Sequence, residues 1–306
     1  MRHIMLALAL IASASLRASN DDRVATRMKN VVFHLDKEVE LRVEDLSGNL
    51  VRTSPGKPPA FDDLSSYLLD IQSARVSMTP ESLTNLMNNV VFAGPDAPIK
   101  KLTIEIEGNE LKQSGVLKKK IDVPFTMRAS VAVTPDGRIR LHPTSMKAAG
   151  FISKRVLNFF GLELEKLVKL SAESPAQVDG DDLLLDPARL LPPPRIRGRL
   201  TGAWIADGLV VEQFGPSQPQ HALTPPNLNF PNYMYYRGGT LRFGKLTMRD
   251  TDLLLVDDDP KDPFDFSPSQ YNDQLVAGYS KNTPSHGLIT HMPDANDLAR
   301  TRVARK

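Results

Sequence analysis

The chain has 306 residues, of which 41% are hydrophobic and 24% are charged, and its formal net charge at pH 7 is +2. This is the composition of a globular protein with a sizeable core, and the small net charge gives no support to nucleic-acid binding. The absence of cysteine excludes thiol catalysis, zinc–cysteine sites and disulfides.

The N-terminus has the pattern of a secretory signal peptide. Residues 1–3 are a short basic start, and an apolar run follows from Ile4 to Ile11. Residues 12–14, Ala-Ser-Ala, fit a small-residue cleavage site, and Ala18 offers a second one. The run is shorter than the about 20 apolar residues of a membrane-spanning helix, with an uncleaved anchor as the alternative. We predict a signal peptide over residues 1–18 and export to the periplasm or the extracellular space.

Apolar and polar residues alternate through most of the following chain, which predicts strands. The predicted strand segments are residues 31–43, 71–78, 102–106, 121–133, 139–141, 196–205, 209–211, 233–236 and 241–256, and Gly238-Gly239 allows a sharp turn or bulge between the last two. Turn signals occur at Ser47-Gly48-Asn49, Pro135-Asp136-Gly137 and Ala206-Asp207-Gly208. The pattern favours antiparallel strands with one buried face.

A helix is predicted after the second of these segments. Thr79 is a suitable N-cap, Pro80 suits the first helical position and Glu81 suits the positive end of the helix dipole. The apolar residues that follow form one stripe: Leu83, Leu86, Met87, Val90 and Val91. Such a stripe packs against a core, and Gly94-Pro95 ends the helix.

Residues 151–170, FISKRVLNFFGLELEKLVKL, predict a second helix with an unusually wide apolar face. Its apolar residues cover about half of the helical circumference, whereas a core stripe needs only about 100°. They include Ile152, Val156, Leu157, Phe159, Phe160, Leu164, Leu167, Val168 and Leu170. Two interpretations are open: a helix buried in the concavity of a curled sheet, or a helix whose second face lines a cavity.

Residues 257–306 show little periodicity, and we predict an irregular C-terminal extension that is partly ordered at Phe264, Phe266 and Tyr271. Its aspartates do not have the spacing of an EF-hand, because Lys261 and Asp262 stand where a ligand and a glycine should be. A solvated acidic turn explains them better. His286 and His291 lie in an irregular loop, so we predict no metal site.

The sequence has no recognisable catalytic motif. A G-x-S-x-G elbow, an H-E-x-x-H pair, a P-loop and a G-x-G-x-x-G loop are all absent. We therefore predict a protein that is not an enzyme and has no cofactor, although a hydrolase with an unrecognised site is a further interpretation.

Three stretches carry a resemblance to a known family: VSMTPESLTNLM (76–87), VAVTPDGRIRLHPTSMKAAG (131–150) and RGRLTGAWIADGLVVEQFG (197–215). Together they resemble the LmeA-type bacterial periplasmic phospholipid-binding proteins, and more distantly the tubular lipid-binding (TULIP) superfamily, over residues 30–215. The resemblance implies an α+β fold in which a strongly curved antiparallel sheet wraps around one or two long apolar helices. It also implies an apolar tunnel for acyl chains.

The expected function is therefore that of an exported, non-enzymatic lipid-binding protein, with residues 19–256 as the lipid-binding domain. The expected ligand is phospholipid or another acyl compound, transient contact with a membrane surface is left open, and nucleic acid is excluded as a partner. The expected lipid-binding residues are Leu83, Leu86, Met87, Val90, Val156, Phe159, Phe160, Leu164, Leu167 and Trp204. The alternative is an envelope scaffold or protein-interaction module with a dry core.

Overall fold

Strands dominate the fold. The computed structural model describes residues 23–118, 122–148, 151–152, 174–217, 223–226 and 229–298. Of these residues, 56% lie in strands and 12% in helical segments. The strands, in chain order, are β1 (Arg23–His34), β2 (Glu40–Arg52), β3 (Tyr67–Met78), β4 (Ile99–Glu107), β5 (Glu110–Leu117), β6 (Val123–Val133), β7 (Ile139–Ala148), β8 (Phe151–Ile152), β9 (Ala176–Asp179), β10 (Asp182–Leu185), β11 (Arg195–Arg197), β12 (Leu200–Ala206), β13 (Leu209–Phe214), β14 (Tyr233–Phe243), β15 (Leu246–Asp257), β16 (Phe264–Phe266), β17 (Tyr279–Asn282) and β18 (Leu288–Met292).

The helical segments of the described residues are all short. They are the α-helices Pro80–Leu86, Pro187–Leu190 and Tyr271–Ala277, the π-helical turn Met87–Val91, and the 3-10 turns Leu64–Ser66 and Ala295–Asp297. Within the described ranges, no helix is long and apolar enough to cross a membrane.

The described strands form two sheets. The larger sheet has the order β12-β13-β3-β2-β1-β14-β15-β18-β17, with β11 paired to β3 and β16 paired to β1. The smaller sheet has the order β4-β5-β6-β7-β10-β9, with β8 paired to β7. Most pairs are antiparallel, while β11, β16 and β18 pair in parallel with β3, β1 and β15.

One left-handed residue keeps apolar side chains on the same face along β1. Val24 and Met28 are buried before Asn30, and Val31 and Phe33 are buried after it. Asn30 has a left-handed φ of 51°, and the alternation of buried side chains shifts by one residue there, while the register with β2 is the same on both sides.

The apolar core lies between the two sheets. One continuous cluster of buried side chains contains Leu46 and Val76 of the larger sheet together with Leu111 and Leu141 of the smaller one. The helix Pro80–Leu86 connects β3 of one sheet to β4 of the other. Its side chains tie it to β4, because Thr84 Oγ1 accepts a hydrogen bond from the Ile104 backbone N–H at 2.9 Å.

The C-terminal segment, predicted to be irregular, contains regular structure up to residue 298. β16 extends the sheet beside β1, and β18 lies beside β15. Gln274, fully buried, donates hydrogen bonds to the carbonyls of Asp265 and Pro293. An edge-to-face contact joins Phe61 to Phe266, with ring centroids 6.1 Å apart. Residues far apart in sequence therefore share one core.

The predicted fold class is wrong. The described residues form a mostly β protein with two sheets, and these sheets are neither strongly curled nor wrapped around a long apolar helix. The reason is that alternation shows that a strand has one buried face without showing what covers it. Residues 151–152 of the predicted second helix form strand β8, and residues 153–170 lie outside the described residues.

Candidate binding cavity

A cavity opens between the two sheets. Strands β2, β3, β11 and β13 contribute side chains from the larger sheet, and β5, β6, β7 and β10 contribute them from the smaller one. The helices Pro80–Leu86 and Pro187–Leu190 contribute the remainder together with Leu191. Twenty described residues line the cavity, and all but one of them carry an apolar side chain.

The free space inside the cavity is small. The enclosed free space is about 60 Å³. All space between the lining atoms, including the mouth that joins solvent, is about 770 Å³. In another protein, an apolar void of about 150 Å³ holds one benzene ring. The free space in this cavity is therefore less than half of such a void, and an apolar group enters it only if lining side chains move.

The structure brings two of the expected lipid-binding residues to this cavity. Leu83 and Leu86 line it from the helix Pro80–Leu86. Met87 is fully buried in the core, and Val90 packs half-buried against the same core. The expected residues Val156, Phe159, Phe160, Leu164 and Leu167 lie outside the described residues.

Trp204, also expected at the lipid site, lies on the other face of the larger sheet. Its half-buried ring is covered by the guanidinium group of Arg75, whose central carbon is 5.6 Å from the ring centroid. Arg75 precedes Val76 on β3, and Val76 lines the cavity, so successive side chains point to opposite faces. Trp204 and Arg75 form a cation–π pair rather than a rim of the cavity.

The one polar side chain that lines the cavity is that of Glu212. It lies on β13 between Val210 and Phe214, which share its face and also line the cavity. Its register partners are Ala203 on β12 and Val76 on β3, so both cross-strand neighbours are apolar. Burial among these side chains raises the pKa of the Glu212 carboxyl to about 7.

Sequence reasoning missed Glu212, although a signal was present. In LVVEQF (209–214) the glutamate has the same parity as Val210 and Phe214. Period-two alternation places residues of one parity on one face of a strand. The register of the hairpin β12–β13 therefore places this carboxyl on the apolar face.

A group of three carboxylates lies at the C-terminal side of the larger sheet. Asp257, Asp262 and Asp294 each place an oxygen within 4.8 Å of the others. Burial is the main cause that raises the pKa of Asp257 to about 6 and that of Asp294 to about 7. Asp257 already accepts hydrogen bonds from Asn232 Nδ2 at 3.0 Å and from the Asp259 N–H at 2.8 Å. The group is thus part of the hydrogen bonding that orders this loop.

The histidines near this group serve other contacts. His291 stacks on Tyr279, with ring centroids 4.5 Å apart and an interplanar angle of 10°. His286 is the left-handed residue of the turn before β18, with φ of 64°. The structure does not bring these two histidines together with Asp294 into a ligand set among the described residues.

No protein-family model, no curated protein and no solved structure matches this chain.

Proposed function

We propose that this protein binds the alkyl or acyl chain of a lipid in the cavity between its two sheets and performs no reaction on it. The observation that carries the proposal is the lining, in which nineteen of the twenty described residues are apolar. Moving an alkyl chain from water to such a lining is favourable by about 0.8 kcal/mol for each buried methylene. An apolar lining therefore favours the binding of such a chain.

The small volume of the cavity favours a ligand that inserts a single chain. Pockets that hold whole drug-sized ligands measure about 300–1,000 Å³. The free space of about 60 Å³ is much smaller, so a single chain enters only as flexible side chains such as Met78 move aside. We propose a ligand that places one chain between the sheets.

We further propose that binding takes place outside the cytoplasm. The support is the N-terminal sequence, in which a basic start, an apolar run and a small-residue motif follow one another within residues 1–18. The N-terminal sequence of the protein purified from its secreted or envelope fraction tests this part separately, since cleavage after Ala14 or Ala18 is the expected result.

The test of ligand binding is native mass spectrometry of the full mature protein, purified without detergent, followed by organic extraction. The expected result is a mass above that of the apoprotein that extracts as a compound with an alkyl chain. Titration with a single-chain alkyl compound should show saturable binding where no ligand is carried through purification.

Two variants locate the binding site. Val131→Phe places a ring in the cavity that Val131 lines, and it should weaken alkyl-chain binding at least about tenfold. Val178→Phe is the matched control, because Val178 packs half-buried against the core from β9 and is not a lining residue. A protein that carries no lipid and takes none up has a dry core, and that outcome replaces the proposal with the scaffold function.

A further inference from the structure

The position of Glu212 is the feature that an apolar cavity alone does not explain. Two half-buried carboxylates on β2 and β3 have a cationic partner: Asp45 accepts from Arg27 at 2.7 Å, and Asp70 accepts from Arg197 at 2.7 and 2.9 Å. Among the described residues, Glu212 has no hydrogen bond and no ion pair. A carboxyl without a partner on an apolar face is unfavourable in the empty protein.

We propose that the ligand of the cavity is a single-chain alkyl compound ending in a primary ammonium group, which the Glu212 carboxylate binds while the chain lies along the aliphatic lining. This inference rests on the proposed function, and it names the chemical class of the ligand. It assigns Glu212 the role of fixing the orientation of the chain.

Charge complementarity selects the ammonium over other end groups. A carboxylate surrounded by apolar side chains needs a cation, and the described lining residues include neither lysine, arginine nor histidine. A hydrogen bond between an ammonium and a carboxylate is roughly twice as strong as one between neutral groups. The anionic end of a fatty acid would instead set two carboxyl groups against each other.

The surroundings of Glu212 also set the pH dependence of binding. No other ionisable residue lines the cavity from the described parts of β3, β13 or the smaller sheet, and the residue that faces Glu212 from β12 is Ala203. The carboxyl pKa of about 7 arises from burial alone. Below that pH the empty site is protonated, so an ammonium binds with release of the carboxyl proton to solvent. Affinity should rise with pH up to about 7, stay level while both groups are charged, and fall when the amine itself loses its proton at about pH 10.

The experiment is isothermal titration calorimetry of the full mature protein with decylamine, decanol and decanoate, which share one chain length. We expect decylamine to bind at least about tenfold more tightly than decanol near neutral pH. Titrations at about pH 6 in buffers of different ionisation enthalpy should show release of nearly one proton with decylamine and none with decanol.

Glu212→Gln removes the charge with little change of shape. In this variant, decylamine should bind no better than decanol, proton release should vanish, and the affinity for decanol should be unchanged. Glu81→Gln is the matched control, because Glu81 is exposed on the helix that carries Leu83 and Leu86 to the cavity. This variant should behave as the wild type does.

The outcomes separate this inference from the proposed function. If none of the three compounds binds, the proposed function fails and the inference fails with it. If decanol binds as tightly as decylamine, or decanoate binds most tightly of all, the ammonium assignment is overturned while alkyl-chain binding stands.

Discussion

At the scale of single residues, Glu212 makes the stability of the protein depend on pH. Its pKa rises from 4.5 for a freely solvated glutamate to about 7 in the fold because burial disfavours the anion. Between these two values the folded state holds a proton that the unfolded state has lost. The contribution of Glu212 to the free energy of unfolding therefore falls as the pH rises from 4.5 to 7, and the loss is complete above 7.

Glu212→Gln should remove this loss. We expect the free energy of unfolding of the variant, relative to that of the wild type, to be about 1–2 kcal/mol higher at pH 8 than at pH 5. The range is smaller than the full pKa shift would give because the carboxyl is partly exposed. Urea unfolding of both proteins at the two pH values measures the gain. Asp257 and Asp294 have raised pKa values as well and contribute a slope of the same sign, but they are present in both proteins. An equal difference between the two proteins at both pH values would contradict the prediction.

At the scale of elements, two glycines of the hairpin β12–β13 share a left-handed conformation but differ in how closely they approach a neighbouring strand. Gly215 follows β13 with φ of +59°, and a Cβ there would lie 2.1 Å from the carbonyl oxygen of Gln72. Gly208, in the turn of the hairpin, has φ of +71°, and a Cβ there would meet nothing within 4 Å. Both positions require a left-handed residue, but only Gly215 lies against a neighbouring backbone.

Gly215→Ala should therefore cost well over 3 kcal/mol, since β3 and β13 must separate, whereas Gly208→Ala should cost about 1 kcal/mol from its backbone conformation alone. Denaturant midpoints of the two variants measure the difference. Similar costs at both positions would show that the contact with Gln72 relaxes easily.

The elements also show what sequence patterns can predict. The N-terminus of the helix at Pro80 is confirmed, with Thr79 Oγ1 accepting from the Ser82 N–H at 3.1 Å. The hairpin turn at Pro135-Asp136-Gly137 is confirmed by the pairing of β6 with β7. The predicted turn at Ser47-Gly48-Asn49 is wrong, because these residues lie within β2. Gly48 is used there for close approach, as a Cβ would lie 2.5 Å from the Asp70 carbonyl oxygen.

Long-range pairing is the part that sequence patterns did not reveal. β16 has three residues, too few for a periodic signal, and it pairs with β1 across more than 200 positions of the chain. The predicted apolar stripe does reach the cavity, through Leu83 and Leu86. The polar group of the cavity was not predicted, since the inward direction of Glu212 depends on which face of β13 the smaller sheet covers.

At the scale of the whole molecule, the continuous core joins the two sheets into one structural unit. Leu111 of β5 is fully buried and also lines the cavity, opposite side chains of β2 and β3. The buried cluster that contains it extends through the larger sheet to Leu253 and Leu255 of β15. Because neither sheet covers its own apolar face, loss of one exposes the core face of the other.

This continuity predicts that the two sheets unfold together, and the single tryptophan makes the prediction testable. Trp204 lies on β12 of the larger sheet, whereas Leu111 lies on β5 of the smaller one. Leu111→Ala should lower stability by about 2–5 kcal/mol through the cavity it creates. It should shift the unfolding followed by Trp204 fluorescence as much as the unfolding followed by circular dichroism. Thr103→Ala, at an exposed position of β4, should shift neither appreciably. A Leu111→Ala protein whose Trp204 transition stays at the wild-type midpoint would show instead that the larger sheet is stable alone, and that the core between the sheets is an interface between independent units.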